Sequence, residues 1–333
     1  MKSALRWLIL PAVIILSVTV GMGYNLLLQT KTPAETVTMT VKPGRSLSGV
    51  AQELENTGVI RSSLALKIIA RWKDQGSQIQ AGSYRFIQPA TPGEILERLI
   101  QGDVVKVTLT IPEGFTLQQI IERISQLGYG NKTRLAELAY DNDFITSLNI
   151  AADSLEGYLY PETYLFAPGN DERELLKMMV NHFQKKVTSE LKKSAQKVGL
   201  DLHQLVTLAS IIEKETGVVA EMPLISSVFH NRLKRRIPLQ TDPTVIYGIE
   251  NFDGNITRKH LKTPTPYNTY MIRGLPPGPI ASPGLAALQA ATSPANTKFL
   301  YFVARGDGSH QFSRTLKQHN AAVRKYQLRR KRR

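Results

Sequence analysis

The sequence predicts a mixed α+β protein carried on a single N-terminal transmembrane helix, with one small α+β subdomain followed by a larger mixed α+β domain. Three observations lead there. Trp7 to Thr30 contains no charged residue and is dominated by Leu, Ile and Val. Two segments, "VKPGRSLSGVAQEL" (41–54) and "IPEGFTLQQIIERI" (111–124), repeat one pattern: a β-type run, a Pro/Gly turn, a Ser or Thr that can cap, then an apolar helical stripe. The last third alternates short apolar runs with loops dense in Pro, Gly, Thr and Asn.

The N-terminal run is long enough to cross a bilayer as a helix. Lys2 and Arg6 precede it, so the first residues stay in the cytoplasm and the bulk of the chain lies outside. A cleaved signal peptide is the alternative, but no A-x-A-like site is evident near Gly21 to Tyr24. "QTKTPAETVT" (29–38) is polar and Pro-interrupted and reads as a tether, with folded structure resuming near Met39.

At 333 residues with 42% apolar and 21% charged residues, the chain has the composition of a globular protein with a substantial core. Cysteine is absent, which excludes a disulfide framework, thiolate catalysis and cysteine zinc sites. The six His form no tight ligand pair, so no metal or other cofactor is expected. The formal charge of +15 calls for an anionic counter-surface, either lipid or acidic wall polymer. Nucleic acid is not expected, because "RLKRR" (232–236) and "RRKRR" (329–333) lack any zinc-finger or RRM signature around them.

The first strand-turn-helix copy, with "AGSYRFI" (81–87) as a strand and "TPGEILERLIQG" (91–102) as a capped helix, resembles a LysM-like wall-binding module, although a structural spacer reads the same. "LEGYLYPETYLFAPG" (155–169) concentrates tyrosines that either pack or stack on sugar, with Glu162 as a candidate cleft carboxylate. Residues 172–198 read as an amphipathic helix with basic solvent positions. Asp242-Pro243 and Ser282-Pro283 read as N-caps, "KFLYFVARGDGSHQFS" (298–313) as a hairpin, and Thr315 as the cap of a final helix.

The chemistry concentrates in "LASIIEKETGVVAEMP" (208–223). On a helix at about 100° per residue, Leu205, Leu208, Ala209, Ile211 and Ile212 define an apolar face, and Glu215 falls near its centre. Glu213 lies to the side and Lys214 points away. A carboxylate on an apolar stripe is costly to ionise, and a raised pKa is what a general acid near neutral pH requires. The competing reading is that Glu215 merely ends the helix before Gly217. Glycoside cleavage ordinarily uses two carboxylates; Glu213, Glu221, Asp242 and Glu162 are the candidates for a second, and substrate assistance is the way to do without one.

"LASIIEKET", "FHNRL", "LQTDPTVIYGI", "TPYNTY", "GLPPGPIASPG" and "YFVARGDGSHQFSRTLKQHN" together resemble the MltG (YceG-like) family of membrane-anchored endolytic murein transglycosylases. The resemblance spans 205–322 and agrees with the order of the anchor, the LysM-like segment and the "LEGYLYPETY" block. It implies cleavage of the β-1,4 bond between N-acetylmuramic acid and N-acetylglucosamine within a glycan strand, leaving a 1,6-anhydromuramoyl end. It implies Glu215 as the catalytic residue, and Glu213, Gln240, Thr241, Asp242, Tyr247, Tyr267 and Asn268 as substrate-binding or orienting groups. His310 and His319 are expected to be structural.

The domains then read as a cytoplasmic N-terminus (1–6), anchor (7–29), linker (30–38), LysM-like subdomain (39–105), intermediate α+β region (106–200), catalytic domain (201–326) and basic tail (327–333). The expected location is the plasma (inner) membrane with the catalytic domain outside. Peptidoglycan strands, the membrane and, from the resemblance alone, peptidoglycan synthases are the expected partners. The rivals are a non-catalytic wall-binding scaffold and a muramidase that uses two carboxylates and a water.

Overall fold

The computed structural model describes residues 17–328 apart from 20, 22, 26, 43 and 167–170. Most of the predicted anchor and the last residues of the basic tail lie outside the described residues. Among the described residues no helix is long and apolar enough to cross a membrane. The chain is α+β, with small two-stranded sheets among many helices. It forms two compact units: the described residues of Met1–Thr108 with Leu165–Asn170, and those of Leu109–Tyr164 with Asp171–Arg333.

In the first unit, β1 (Val37–Val41) leads through a turn to α1 (Leu47–Asn56) and α2 (Ser63–Trp72), then to β2 (Gly82–Phe86) and α3 (Pro92–Gln101). β1 and β2 pair antiparallel, Val37 opposite Phe86 and Val41 opposite Gly82. Their inward residues Met39, Val41, Tyr84 and Phe86 meet Val50, Leu54, Leu66 and Leu96 from the helices in one buried core. The caps are those the sequence announces: Ser46 accepts from the Gly49 N–H, and Thr91 and Glu94 form a reciprocal capping box. The tether is shorter than predicted. β1 starts before Met39, and Lys31 pairs with Ala90 through two backbone hydrogen bonds of 3.2 and 3.3 Å.

β3 (Val107–Thr110) opens the second strand-turn-helix copy and is followed by α4 (Leu117–Gln126), capped by Thr116 with Gln119. α5 (Lys132–Ala139) and α6 (Asn142–Ser147) precede β4 (Thr163–Phe166), which pairs with β3. The helix expected over 172–198 is two: α7 (Glu172–Lys186) and α8 (Ser189–Lys197). Thr188 takes extended dihedrals and accepts from the Leu191 N–H, starting a new helix where periodicity continued the old one.

α9 (Leu202–Glu215) is buried on every side from Leu205 to Ile212, and packs against α10 (Met222–Lys234), α11 (Asp242–Tyr247) and α13 (Leu285–Thr292). α12 (Arg258–Lys262) lies in the long polar loop. The single stripe read from the sequence is therefore a face of a helix that is central all round. Even its polar residues are used inward: Ser210 donates to the Thr207 carbonyl and accepts the Ile280 N–H, fixing the loop before α13. The hairpin β5 (Tyr301–Ala304) with β6 (His310–Ser313) and the Thr315-capped α14 (Leu316–Val323) complete the unit.

Two predicted caps are corrected. α11 has Thr241 at its N-cap with no side-chain cap bond, and Asp242 is its first residue, its carboxylate engaged by Tyr270 instead of a helix N–H. α13 has Gly284 at its N-cap, and Ser282 exchanges backbone bonds with Gly114 and Phe115.

Gly157 is held at φ +80°, where an added Cβ would stand 2.5 Å from Pro279 Cβ and 2.9 Å from Val206 Cγ1. Gly157→Ala therefore combines left-handed backbone strain with overpacking against α9, and is expected to lower unfolding free energy by about 2–4 kcal/mol, read as a shifted urea midpoint.

Candidate active site

α9 ends where its last carboxylate is needed. Thr216 turns extended, and its hydroxyl accepts the Val218 N–H, so the helix stops at Glu215 without a glycine cap. Glu215 thus both ends the helix and lines a cavity of about 400 Å³, together with Gln240, Asp242, Tyr270, Tyr301 and His310 among others. Glu215 is half-buried. Burial pushes its carboxyl up to about 7; the Thr241 hydroxyl opposes the shift and the Asp242 charge adds to it. That hydroxyl is buried, with no hydrogen-bond partner of standard geometry.

The loop facing Glu215 is held by one cation. Arg232, buried on α10, donates through Nε to the Leu300 carbonyl at 2.7 Å, and through one terminal nitrogen to the carbonyls of Pro238 and Leu239, both at 2.9 Å, and to Gln240 Oε1 at 3.0 Å. Its guanidinium lies over the Tyr301 ring. Gln240 sits at φ +55°, an uncommon conformation for a side-chain-bearing residue, and its N–H donates to the Thr269 carbonyl. Thr241 donates its N–H to Thr269 Oγ1 at 3.1 Å. The two bonds lock the 238–242 segment against the 268–270 turn.

Asp242 accepts the Tyr270 O–H at 2.7 Å. Burial, then the Asp242 carboxylate, raises the Tyr270 phenol well above its ordinary value, so it stays a donor. Across the cavity, His310 donates its backbone N–H to Glu221 Oε1 at 2.9 Å, and its Nδ1 lies 2.7 Å from Glu221 Oε2. Glu221 is thereby committed to the β5–β6 hairpin. His319 stacks on Tyr301 at the same cavity, its Nδ1 buried and unpartnered.

Of the sequence-selected residues, Glu215, Gln240, Thr241 and Asp242 come together here. The others are placed elsewhere. Glu213 accepts the Gly284 N–H at 3.0 Å and anchors the start of α13. Asn268 is fully buried; its amide donates to the carbonyls of His260, Leu261 and Thr263, and its Oδ1 accepts the Tyr270 N–H. It sets the turn that presents Tyr270. Tyr247 and Tyr267 pack with ring centroids 4.8 Å apart, and Tyr247 donates to Glu156 at 3.1 Å. Glu162 is in weak ion-pair contact with Lys186 at 3.9 Å.

Sequence reasoning missed Tyr270, Arg232 and Glu156. All three stand in quoted blocks, yet nothing in the loop "TPYNTY" distinguishes Tyr270 from Tyr267, and the carboxylate singled out in "LEGYLYPETY" is Glu162 instead of Glu156. Glu156 is buried, accepts the Leu117 N–H with both oxygens at 3.0 Å, and is pushed by burial up to about 7. It holds the N-terminus of α4 and the end of α11. Among the described residues no cluster of three or more His, Asp or Glu is placed to hold a metal ion.

Fold and site together define an α+β protein of the acid–base type, with one carboxyl of raised pKa in a polar, tyrosine-rimmed cavity. The profile of the YceG-like family matches residues 39–325, and the chain belongs to that family. It is 36% identical over 311 residues to a Bacillus subtilis protein named endolytic murein transglycosylase, covering 87% of this chain and 85% of that one. It is 30% identical to a Streptococcus pneumoniae protein of the same name over 85% of this chain, spanning only 57% of that relative's length. A crystal structure of a YceG-like protein from Listeria monocytogenes superposes with a TM-score of 0.60 at 31% identity, covering 86% of this chain and 98% of that one.

Proposed function

We propose that this chain is an endolytic lytic transglycosylase, a lyase that cleaves the bond between N-acetylmuramic acid and N-acetylglucosamine inside peptidoglycan strands and leaves 1,6-anhydromuramoyl ends. The observation that carries this reading is the Glu215 carboxyl, raised to about 7 at the wall of a polar cavity. A protonated Glu215 donates to the glycosidic oxygen as the C1–O bond breaks, and the muramoyl N-acetyl oxygen supports the oxocarbenium-like C1. The carboxylate so formed takes the proton of the sugar's C6 hydroxyl as O6 bonds to C1. Glu215 is restored and no water is consumed.

Gln240, Asp242 and Tyr270 are suited to bind sugar hydroxyls and amides; Arg232 keeps the 238–242 segment in place, and Asn268 sets the turn that carries Tyr270. We also place the apolar segment 7–29 across the plasma membrane, with both folded units outside. In that arrangement the first unit, a βααβ core with one further helix, is the LysM-like wall contact, and strand cleavage occurs beside the peptidoglycan synthases.

Incubating the full chain with purified peptidoglycan and identifying released ends by mass spectrometry tests the reading. Anhydro ends support it, whereas reducing ends would favour the muramidase alternative. Asp242 keeps that alternative in play, since it shares the cavity and is free of cap duty. Binding without release would leave a scaffold. Because the acid must be protonated in the free enzyme, kcat/KM is expected to fall as pH rises through about 7. Glu156 titrates in the same window, so the profile is to be repeated in Glu156→Gln, where the fall must persist.

A further inference from the structure

The first unit carries an apolar row that its own core does not use. On α2, Leu64, Ile68 and Trp72 are 55%, 44% and 87% exposed, whereas Ala65, Leu66 and Ala70 face the core. Spaced four apart, the three stand one above another on the helix surface. Lys67 and Arg71, each three residues on from a member of the row, flank it, and α2 contains no acidic residue. The outward face is therefore apolar and cationic together, the pattern of a helix that lies in a membrane interface, with a Trp at its end.

A second, independent feature says where that face sits. The last turn of the N-terminal apolar segment is closed by Leu28 N–H donating to the Tyr24 carbonyl. The next residues are pinned to the stretch that leads into α2. Gln29 Oε1 accepts from the Arg61 guanidinium and Lys31 Nζ reaches the Ile60 carbonyl at 3.5 Å, while the Lys31 backbone is bridged to Ala90, just ahead of α3. Arg61 directly precedes Ser62, the N-cap of α2. The end of the apolar segment and the beginning of the apolar row are thus joined by short side-chain contacts.

We propose that the Leu64–Ile68–Trp72 face of α2 is a second membrane contact, resting on the anionic headgroup layer of the bilayer that the N-terminal segment enters. The proposal rests on the reading of residues 7–29 as an anchor. Leu64, Ile68 and Trp72 enter the interface while Lys67 and Arg71 meet lipid phosphates, so the first unit is held against the membrane instead of swinging on its linker.

Trp7 and Trp72 are the two tryptophans of the chain, so the full chain with Trp7→Phe reports on Trp72 alone. Reconstituted into phosphatidylcholine vesicles containing phosphatidylglycerol, it should show Trp72 emission shifted to the blue and quenched by lipids brominated near the headgroup. The quenching should fall by about half or more on Leu64→Glu with Ile68→Glu, two exposed positions, and also in pure phosphatidylcholine. A chain that floats with the vesicles and resists alkaline extraction, yet leaves Trp72 open to iodide and untouched by the brominated lipids, overturns this proposal and spares the anchor. A chain that does not float overturns both. A blue shift that needs no lipid and grows with protein concentration assigns the face to a second copy of the chain, and also overturns the proposal.

Discussion

Glu215→Gln is expected to lower turnover on peptidoglycan by about 10²–10⁴-fold, the range by which a positioned general acid accelerates bond cleavage. It is also expected to make the protein more stable above pH 7. The carboxyl is raised from the ordinary 4.5 to about 7, chiefly by burial. Between those values the unfolded chain releases a proton that the folded chain keeps. Stability therefore declines as pH rises from about 4.5 to about 7, and stays at the lower level above that. Gln has no proton to lose. With the cavity open to water, the gain should be about 1–3 kcal/mol at pH 8 and near zero at pH 4.5. Urea midpoints of both proteins at the two pH values measure it, and Glu156, present in both, cancels. Undiminished anhydro-end release would remove Glu215 from the mechanism; equal midpoints at pH 8 would mean that its carboxyl is solvated.

Arg232→Met should destabilise the second unit by about 3–5 kcal/mol, more than loss of packing alone produces, because it strips a buried donor from several acceptors at once. The Leu300, Pro238 and Leu239 carbonyls and Gln240 Oε1 all take hydrogen bonds from this guanidinium. Those acceptors join the residue that leads into β5 to the segment that carries Thr241 and Asp242. Activity should fall by about 10²-fold even at a temperature where the variant remains folded, since displacing that segment by as little as 1 Å misplaces the groups opposite Glu215. Arg232→Lys should recover little, because a single ammonium cannot span the same carbonyls. Should Arg232→Met retain both its midpoint and its kcat/KM, the loop must be held by the Thr269 contacts alone.

The two carboxyls of raised pKa tie stability to activity. Glu215 and Glu156 both favour the folded state at mildly acidic pH, yet only Glu215 lines the cavity that also holds Asp242 and Tyr270. Glu156 acts on the frame, linking the start of α4 to the end of α11. At the first residue of α11 stands Asp242, so frame and cavity share one short helix.

Local chemistry determined what lies within a turn or two of itself. Ser46, Thr91, Thr116 and Thr315 cap their helices because a hydroxyl three residues before a free N–H needs nothing from the rest of the chain. The repeated strand-turn-helix and the 301–313 hairpin were legible for the same reason. Glu215 was singled out because helical periodicity puts it in line with Leu208 and Ile211; that α9 is buried all round and ends at a cavity was not in the pattern. Tertiary contacts decided the rest. Asp242 had the sequence of a cap, yet its carboxylate is taken by Tyr270, twenty-eight residues on. Tyr267 and Tyr270 differ by three positions in a loop without period, and only the Asn268 bonds, which fix the turn, send one toward Glu156 and the other toward Glu215. Arg232 was one basic residue of the "RLKRR" cluster, and became the keystone because the fold brings Leu300, far along the chain, and three acceptors of the loop after α10 to the same guanidinium. Periodicity and capping are properties of neighbours along the chain; the choice among equivalent polar side chains is made by whichever buried partner the fold brings within hydrogen-bond reach.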